Sequence, residues 1–250
     1  MNITVQFHTD RLPIAYRSCA LSLIKECLRR GDEAAYQRYY SRPQPKPFTF
    51  SVFLKGFQMG THEIRLTGFD LHLSSAEYEF LIPLLNGLQR IERFQYKEYT
   101  ITRGLIRYGR LQEIQSSRII VRTNSPILIE DKNGRPLAPM DPSYSTELNN
   151  IADRMSRTLR GEPLRRELRI KPIDVKKTVV KERNDDYEQA WVKGKASGEF
   201  LYFTAYRGTF ELEGDPHDLQ WLLLTGLGLR SGYGFGHIRL EREVMTFDET

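Results

Sequence analysis

Apolar and polar residues alternate over positions 2–7, with Ile3, Val5 and Phe7 on one face, which predicts a half-buried strand. The period then changes. Tyr16, Cys19, Ala20, Leu23, Ile24 and Cys27 recur at helical spacing, with Pro13 expected to open the helix and Arg29, Arg30 and Gly31 to close it. A short second helix follows over 32–40, capped by Asp32, and three alternate prolines at 43, 45 and 47 predict an extended segment. Residues 48–54 read as a strand, a turn covers 56–60, and residues 61–73 read as its antiparallel partner. Ser74 and Glu77 have the spacing of a capping box before the apolar stripe Phe80, Leu81, Leu84, Leu85 and Leu88, with Pro83 expected to kink that helix. Residues 94–122 are strand-like.

Past Asn124-Ser125-Pro126 the order begins again. The pattern predicts a short strand at 127–130, a turn at Asn133-Gly134, a helix over 145–160, strands over 168–181 and 197–212, a helix over 215–225 and a last strand over 237–244. Asp185 and Asp186 read as loop. The expected fold is therefore α+β, two tandem ferredoxin-like βαββαβ domains, divided as residues 1–124 and 125–250.

Composition narrows the class. The chain has 250 residues, 40% of them hydrophobic and 28% charged, and no apolar run long enough to span a membrane. Cys19 and Cys27 are the only cysteines and fall on the core face of a helix, so neither a disulfide framework nor a thiolate metal site is expected, and a cytoplasmic location fits. Net charge is +5, but residues 154–183 alone hold eleven Lys/Arg against four Asp/Glu, a balance of +7. Such a concentrated basic segment is the footprint of a polyanionic partner. Arg154, Arg157 and Arg160 share one side of the predicted helix; Arg157, Arg160, Arg165, Arg166 and Arg169 are the leading phosphate-neutralising candidates.

Five of the eleven residues over 226–236 are glycine. A loop this rich in glycine can lie close against a ligand and offer its N–H groups to phosphates. It runs from helix into strand, the reverse of a dinucleotide fingerprint, and no GxxxxGK[ST] occurs. A nucleotide cofactor is thereby disfavoured. Gly226, Gly228, Arg230, Gly232, Tyr233, Gly234 and Gly236, with His237 just beyond, become candidate backbone-binding residues, Tyr233 and Phe235 being placed to stack on bases.

The glycine loop, the strand entry Lys46-Pro47-Phe48-Thr49-Phe50-Ser51 and the Asn124-Ser125-Pro126 start of the second half together resemble the repeat-associated RNA-binding (RAMP) superfamily, and within it the CRISPR-associated endoribonucleases that cut repeat RNA. The resemblance spans essentially the whole chain. It implies binding of CRISPR repeat RNA and metal-independent cleavage in which the 2′-hydroxyl beside the scissile phosphate attacks it, leaving a 2′,3′-cyclic phosphate. No cofactor is implied.

The family's histidine between the first helix and this strand is missing, since no histidine lies between His8 and His62. Tyr36, Tyr39, Tyr40, Arg38, Arg42 and Lys46 occupy the interval. Tyr39, Tyr40 and Lys46 are the catalytic candidates, a tyrosine base requiring nearby cations to lower its pKa from about 10. The alternative is a non-catalytic RNA-binding subunit of a guide-RNA complex, with other effector subunits as partners; a homodimer is left open.

Overall fold

The first strand, β1 (Asn2–His8), buries alternate residues, as its period requires. In the computed structural model, which describes residues 1–110, 112–184 and 198–244, it lies in the middle of a five-stranded antiparallel sheet. Asp185 and Asp186 lie outside the described residues. Its hydrogen-bonded neighbours are β6 (Gly68–Ser75) and β8 (Tyr99–Gly109); β3 (Phe48–Lys55) adds beyond β6, and β7 (Arg93–Tyr96) beyond β8. Helices α1 (Tyr16–Gly31) and α3 (Tyr78–Arg90) pack on one face, burying Leu23, Ile24, Leu28, Phe80, Leu81 and Leu84 against Val5, Phe48, Phe50 and Leu71. The closely packed thiols of Cys19 and Cys27 belong to this core, where burial pushes each up to about 12. Helix α2 (Glu33–Tyr40) follows α1 and is capped by Asp32, whose carboxylate accepts from the Ala34 and Ala35 N–H groups.

The second sheet has four strands in the order β10 (Arg169–Arg183), β11 (Phe200–Glu213), β9 (Arg118–Thr123), β12 (Ile238–Glu243). Helices α4 (Tyr144–Arg160) and α5 (Pro216–Thr225) cover its core face, where Leu148, Ile151, Leu219 and Leu222 meet Ile119, Val121, Phe210 and Leu212. Numbering the four main strands of each half in chain order, both sheets read 2-3-1-4. This is the ferredoxin-like arrangement, made twice.

Several local expectations change. The strand 118–123 belongs to the second sheet, pairing with β11 and β12, so the changeover falls between Gly109 and Arg118 and not at 124/125. Residues 127–130 are not a sheet strand; they make isolated bridges, Ile127 with Tyr206 and Glu130 with Pro136. The predicted strand over 61–73 is two. Glu63–Arg65 (β5) joins Arg11–Pro13 (β2) and Gln58–Met59 (β4) in a separate three-stranded sheet, and β6 begins only at Gly68. Gly68 sits at φ +144° with the Phe7 carbonyl 2.4 Å from where a Cβ would stand, so the chain can swing between sheets there. Pro13 ends β2, and α1 starts at Tyr16. Ser74 lies inside β6, opposite Asn2 and Thr49; it is Ser75 Oγ that accepts the Glu77 N–H at the start of α3.

Candidate nucleic-acid interface

The connection from α5 to β12 is the glycine stretch, and its conformation is set by packing. Only Arg230 and Tyr233 are exposed, Tyr233 by 49%. Its backbone is largely self-satisfied. The N–H groups of Gly226, Leu227, Leu229, Tyr233, Gly234 and Gly236 donate to the carbonyls of Leu222, Gly236, Leu128, Arg230, Ser231 and Pro126. A cradle built from these N–H groups is therefore not present; they are already used. Gly236, at φ +64°, lies so close to the rest of the loop that a Cβ would stand 2.0 Å from the Leu227 carbonyl oxygen. Gly232 has a different reason: a Cβ there would meet Lys46, 2.8 Å from its Cγ. The loop thus seats against the edge strand of the first sheet. Thr49 Oγ1 donates to the Phe235 carbonyl at 3.0 Å, and the Phe235 ring is fully buried, so it cannot stack on a base.

Where the loop meets the 41–47 segment there is a hollow of about 190 Å³, lined by Gln44, Lys46, Arg154, Arg230 and Tyr233, among others. Three separate parts of the chain deliver its cations. The proline-bound entry to β3 brings Lys46, the exposed side of α4 brings Arg154, and the loop brings Arg230, whose guanidinium also lies 4.5 Å from the Phe203 ring centre. The Lys46 ammonium donates to the Gln44 carbonyl at 2.9 Å and stands 5.0 Å from the centre of the Tyr40 ring. Burial, and then the nearby Lys25, hold its pKa below that of an ordinary lysine. Lys25, on α1, approaches the same Tyr40 ring, also at 5.0 Å.

Residues 110–240 match the family CRISPR associated protein Cas6, C-terminal, over half of the chain. The chain belongs to the Cas6 family. Solved structures repeat the fold over nearly full length at low identity. A RAMP protein described as binding different RNA substrates is 19% identical with a TM-score of 0.77, covering 97% of this chain and 100% of its own. A Cas6-related protein from Pyrococcus furiosus gives 17%, 0.78, 98% and 99% respectively. A Cas6 product complex gives 14%, 0.65, 96% and 98%. No curated protein matches by sequence. No helix among the described residues is long and apolar enough to cross a membrane.

The remaining candidates of this Cas6 chain divide. Tyr39 is a core residue: its hydroxyl donates to Glu77 Oε2 at 3.0 Å and its ring meets Phe80 edge-on, while burial and Glu77 raise its pKa. Tyr40 stacks on Tyr36, its hydroxyl is buried without a hydrogen-bond partner among the described residues, and burial raises its pKa as well. The flanking lysines therefore do not make a base of it. His237 is buried, with Nδ1 2.8 Å from Ser51 Oγ, and burial together with His72 depresses it to about 3. It is a buried, neutral residue that ties the end of the glycine loop to Ser51 of the first sheet.

Among the arginines, Arg160 is structural. It is 12% exposed, bonds the fully buried Asp218 at 2.7 Å and lies over Trp221 at 4.5 Å. Asp218 also accepts the Arg165 N–H at 2.6 Å. Together with Asp215 and His217, Asp218 forms a compact group that resembles a metal-ligand set, but Asp215 caps α5 and Asp218 is committed to Arg160. Arg157, Arg165, Arg166 and Arg169 are exposed, with Arg157 paired to Asp153 and both Arg166 and Arg169 to Glu213. Lys25 was not foreseen. Its one sequence signal is a lysine beside Ile24, at the margin of the apolar stripe of α1.

Proposed function

We propose that this chain binds CRISPR repeat RNA and cleaves it without a metal ion at the hollow between the 41–47 segment and the glycine loop. The observation that carries the reading is the convergence of Lys46, Arg154 and Arg230 on one small cavity beside the exposed Tyr233 ring. A phosphodiester in that cavity would have two guanidiniums for its non-bridging oxygens, which carry the growing charge of the phosphorane. The nucleophile is already in the RNA. As the 2′-oxygen bonds to phosphorus, its proton passes to water; as the bond to the 5′-oxygen breaks, Lys46 gives that oxygen a proton. The products are a 2′,3′-cyclic phosphate and a 5′-hydroxyl. A lysine whose pKa is lowered toward neutrality is a better proton donor than an ordinary one, and such transfers contribute about 10²–10⁴ in rate. Tyr233 offers a stacking face for an unpaired base, and exposed Arg157, Arg165, Arg166 and Arg169 offer phosphate contacts along α4 and the start of β10.

The second reading is a non-catalytic subunit that holds processed RNA. It is favoured by one observation: Tyr39 and Tyr40, the tyrosine candidates of the histidine-free interval, have raised pKa values, and no histidine is among the described residues lining the hollow. Incubating the protein with repeat RNA in excess chelator separates the two. The expected result is a single cut with a 2′,3′-cyclic phosphate end. Tight binding with intact RNA would overturn the enzyme reading.

A further inference from the structure

Lys25 and Lys46 both approach the ring of Tyr40, which itself packs at the margin of the first core. Lys25 belongs to α1 and Tyr40 is the last residue of α2. Two ammonium groups approach the phenol ring, each 5.0 Å from its centre. The ring face attracts each cation, which compensates in part for bringing two like charges together. Tyr36 stacks on the same ring and the Tyr40 hydroxyl is buried, so the ring is a fixed platform for both ammonium groups and makes no hydrogen bond of its own among the described residues.

Among the described residues, Lys25 reaches the surroundings of Lys46 from α1; Tyr36 and Tyr40 from α2; the Gln44 carbonyl from its own segment; Arg154 from α4; Arg230, Gly232 and Tyr233 from the glycine loop. None of these is a carboxylate. The charged ones are all cations, and Lys25 is the one that shares the Tyr40 ring with Lys46.

We propose that Lys25 is a positioning residue of this site: held against the same Tyr40 ring as Lys46, its positive charge makes Lys46 the proton donor to the departing 5′-oxygen. The inference rests on the functional reading above and deepens it. Lys25 does not touch RNA; it acts on the proton affinity of Lys46. The direction agrees with the depressed pKa of Lys46, to which Lys25 contributes.

The sign of the effect follows. The active form carries protonated Lys46, so the rate falls on the alkaline side as Lys46 loses its proton. Removing Lys25 raises the Lys46 pKa. The alkaline limb then moves to higher pH, and the rate below it drops because the donor is weaker. For Lys25→Met we expect single-turnover cleavage at neutral pH to fall by about 3–10-fold, with the alkaline limb about half a unit to one unit higher. RNA affinity should change by less than about twofold, since no phosphate contact is lost. Lys25→Arg, which keeps the charge, should restore most of the rate and the limb position.

A second measurement separates failure of this inference from failure of the enzyme reading. Reductive dimethylation with a ¹³C label lets the Lys46 amine be titrated by NMR in the full chain, assigned by its loss in Lys46→Arg. The Lys46 titration should move up in Lys25→Met whether or not the wild type cuts RNA. An unmoved titration overturns the proposal. So does an Lys25→Met protein that cuts like wild type, or one whose RNA affinity falls by the same factor as its rate, which would make Lys25 a phosphate ligand.

Discussion

In the first sheet, the connection from the first helix to the second strand is long and held mainly near its end: α2 is followed by residues 41–47, exposed through Gln44, whose side chain donates to the Arg38 carbonyl, and Ser75 Oγ donates to the Pro47 carbonyl where the strand begins. In the second sheet the equivalent connection, residues 161–168, is tied down. Asp218 holds the Arg165 N–H and the Arg160 guanidinium, and Asn149 holds both the N–H and the carbonyl of Leu168. The last connections differ too. The first half reaches its final strand through a plain hairpin, β7 to β8, whereas the second does so through the glycine loop, which packs on the first half. One topology made twice has therefore divided its labour. On the proposed reading, the first copy presents the Lys46 amine on an exposed, proline-bound segment, and the second supplies the glycine-loop wall and the guanidiniums of the same hollow.

If this division is right, the largest effect lies on the first half's segment. Lys46→Ala is expected to slow repeat-RNA cleavage by about 100-fold or more while changing affinity only a few-fold, read by single-turnover rates beside equilibrium binding. A wild-type rate would move the chemistry elsewhere and dissolve the contrast between the halves. On the second half the expected losses are of stability. Asp218→Asn strands the Arg160 charge in a buried site and should cost about 3 kcal/mol in denaturant unfolding. No change in midpoint would mean that the 161–168 connection is not held as described.

The glycine loop offers a finer cut through the same comparison. Gly236→Val places a Cβ against a backbone carbonyl at a positive φ and should cost about 3 kcal/mol of stability. Gly232→Ala sets a Cβ 2.8 Å from Lys46 Cγ and 2.9 Å from its Cβ, so Lys46 and its segment must shift; stability should fall by about 1 kcal/mol, short of the Gly236 loss, while cleavage falls by about tenfold as the amine is displaced. Equal effects on stability from the two substitutions would show that the wall and the aim are not separable.

The last effect, felt only below pH 6.5, is a pH dependence at the seam. His237 is neutral in the folded chain, with a pKa of about 3 against the ordinary 6.5. Below 6.5 the unfolded state binds the proton and the folded state does not, so stability is complete above that value and is lost as pH falls from 6.5 toward about 3. The slope from this group is about 1.4 kcal/mol per pH unit. His237→Asn should flatten that portion of the stability profile; an identical profile would place the seam's acid sensitivity on other groups.

Much of the architecture was legible because it rests on period. The strand at 2–7, the α1 stripe, the Asp32 cap and the helix and strand flanking the glycine loop all follow from short-range spacing, and all are present. The misreadings have a common cause. The swing at Gly68 and the pairing of residues 118–123 with β11 and β12 depend on which sheet a strand joins, and a strand's own residues do not encode its neighbours. The site was harder still. Lys46, Tyr39 and Tyr40 were reachable from their place in the histidine-free interval and His237 from its place after the loop, but only the fold shows that Tyr39, His237 and the Tyr40 hydroxyl are buried.

What the sequence determined alone is the duplicated α+β order, the family, and the absence of a histidine from the first half's connection, because these depend on composition and local pattern. The tertiary structure decided the use of each glycine, since only packing reveals that the loop's N–H groups are spent internally and that Gly232 is small so that Lys46 can pass. It also decided which cations meet. Lys25, Lys46, Arg154 and Arg230 come from four distant stretches, and their proximity exists only once both sheets have closed against each other.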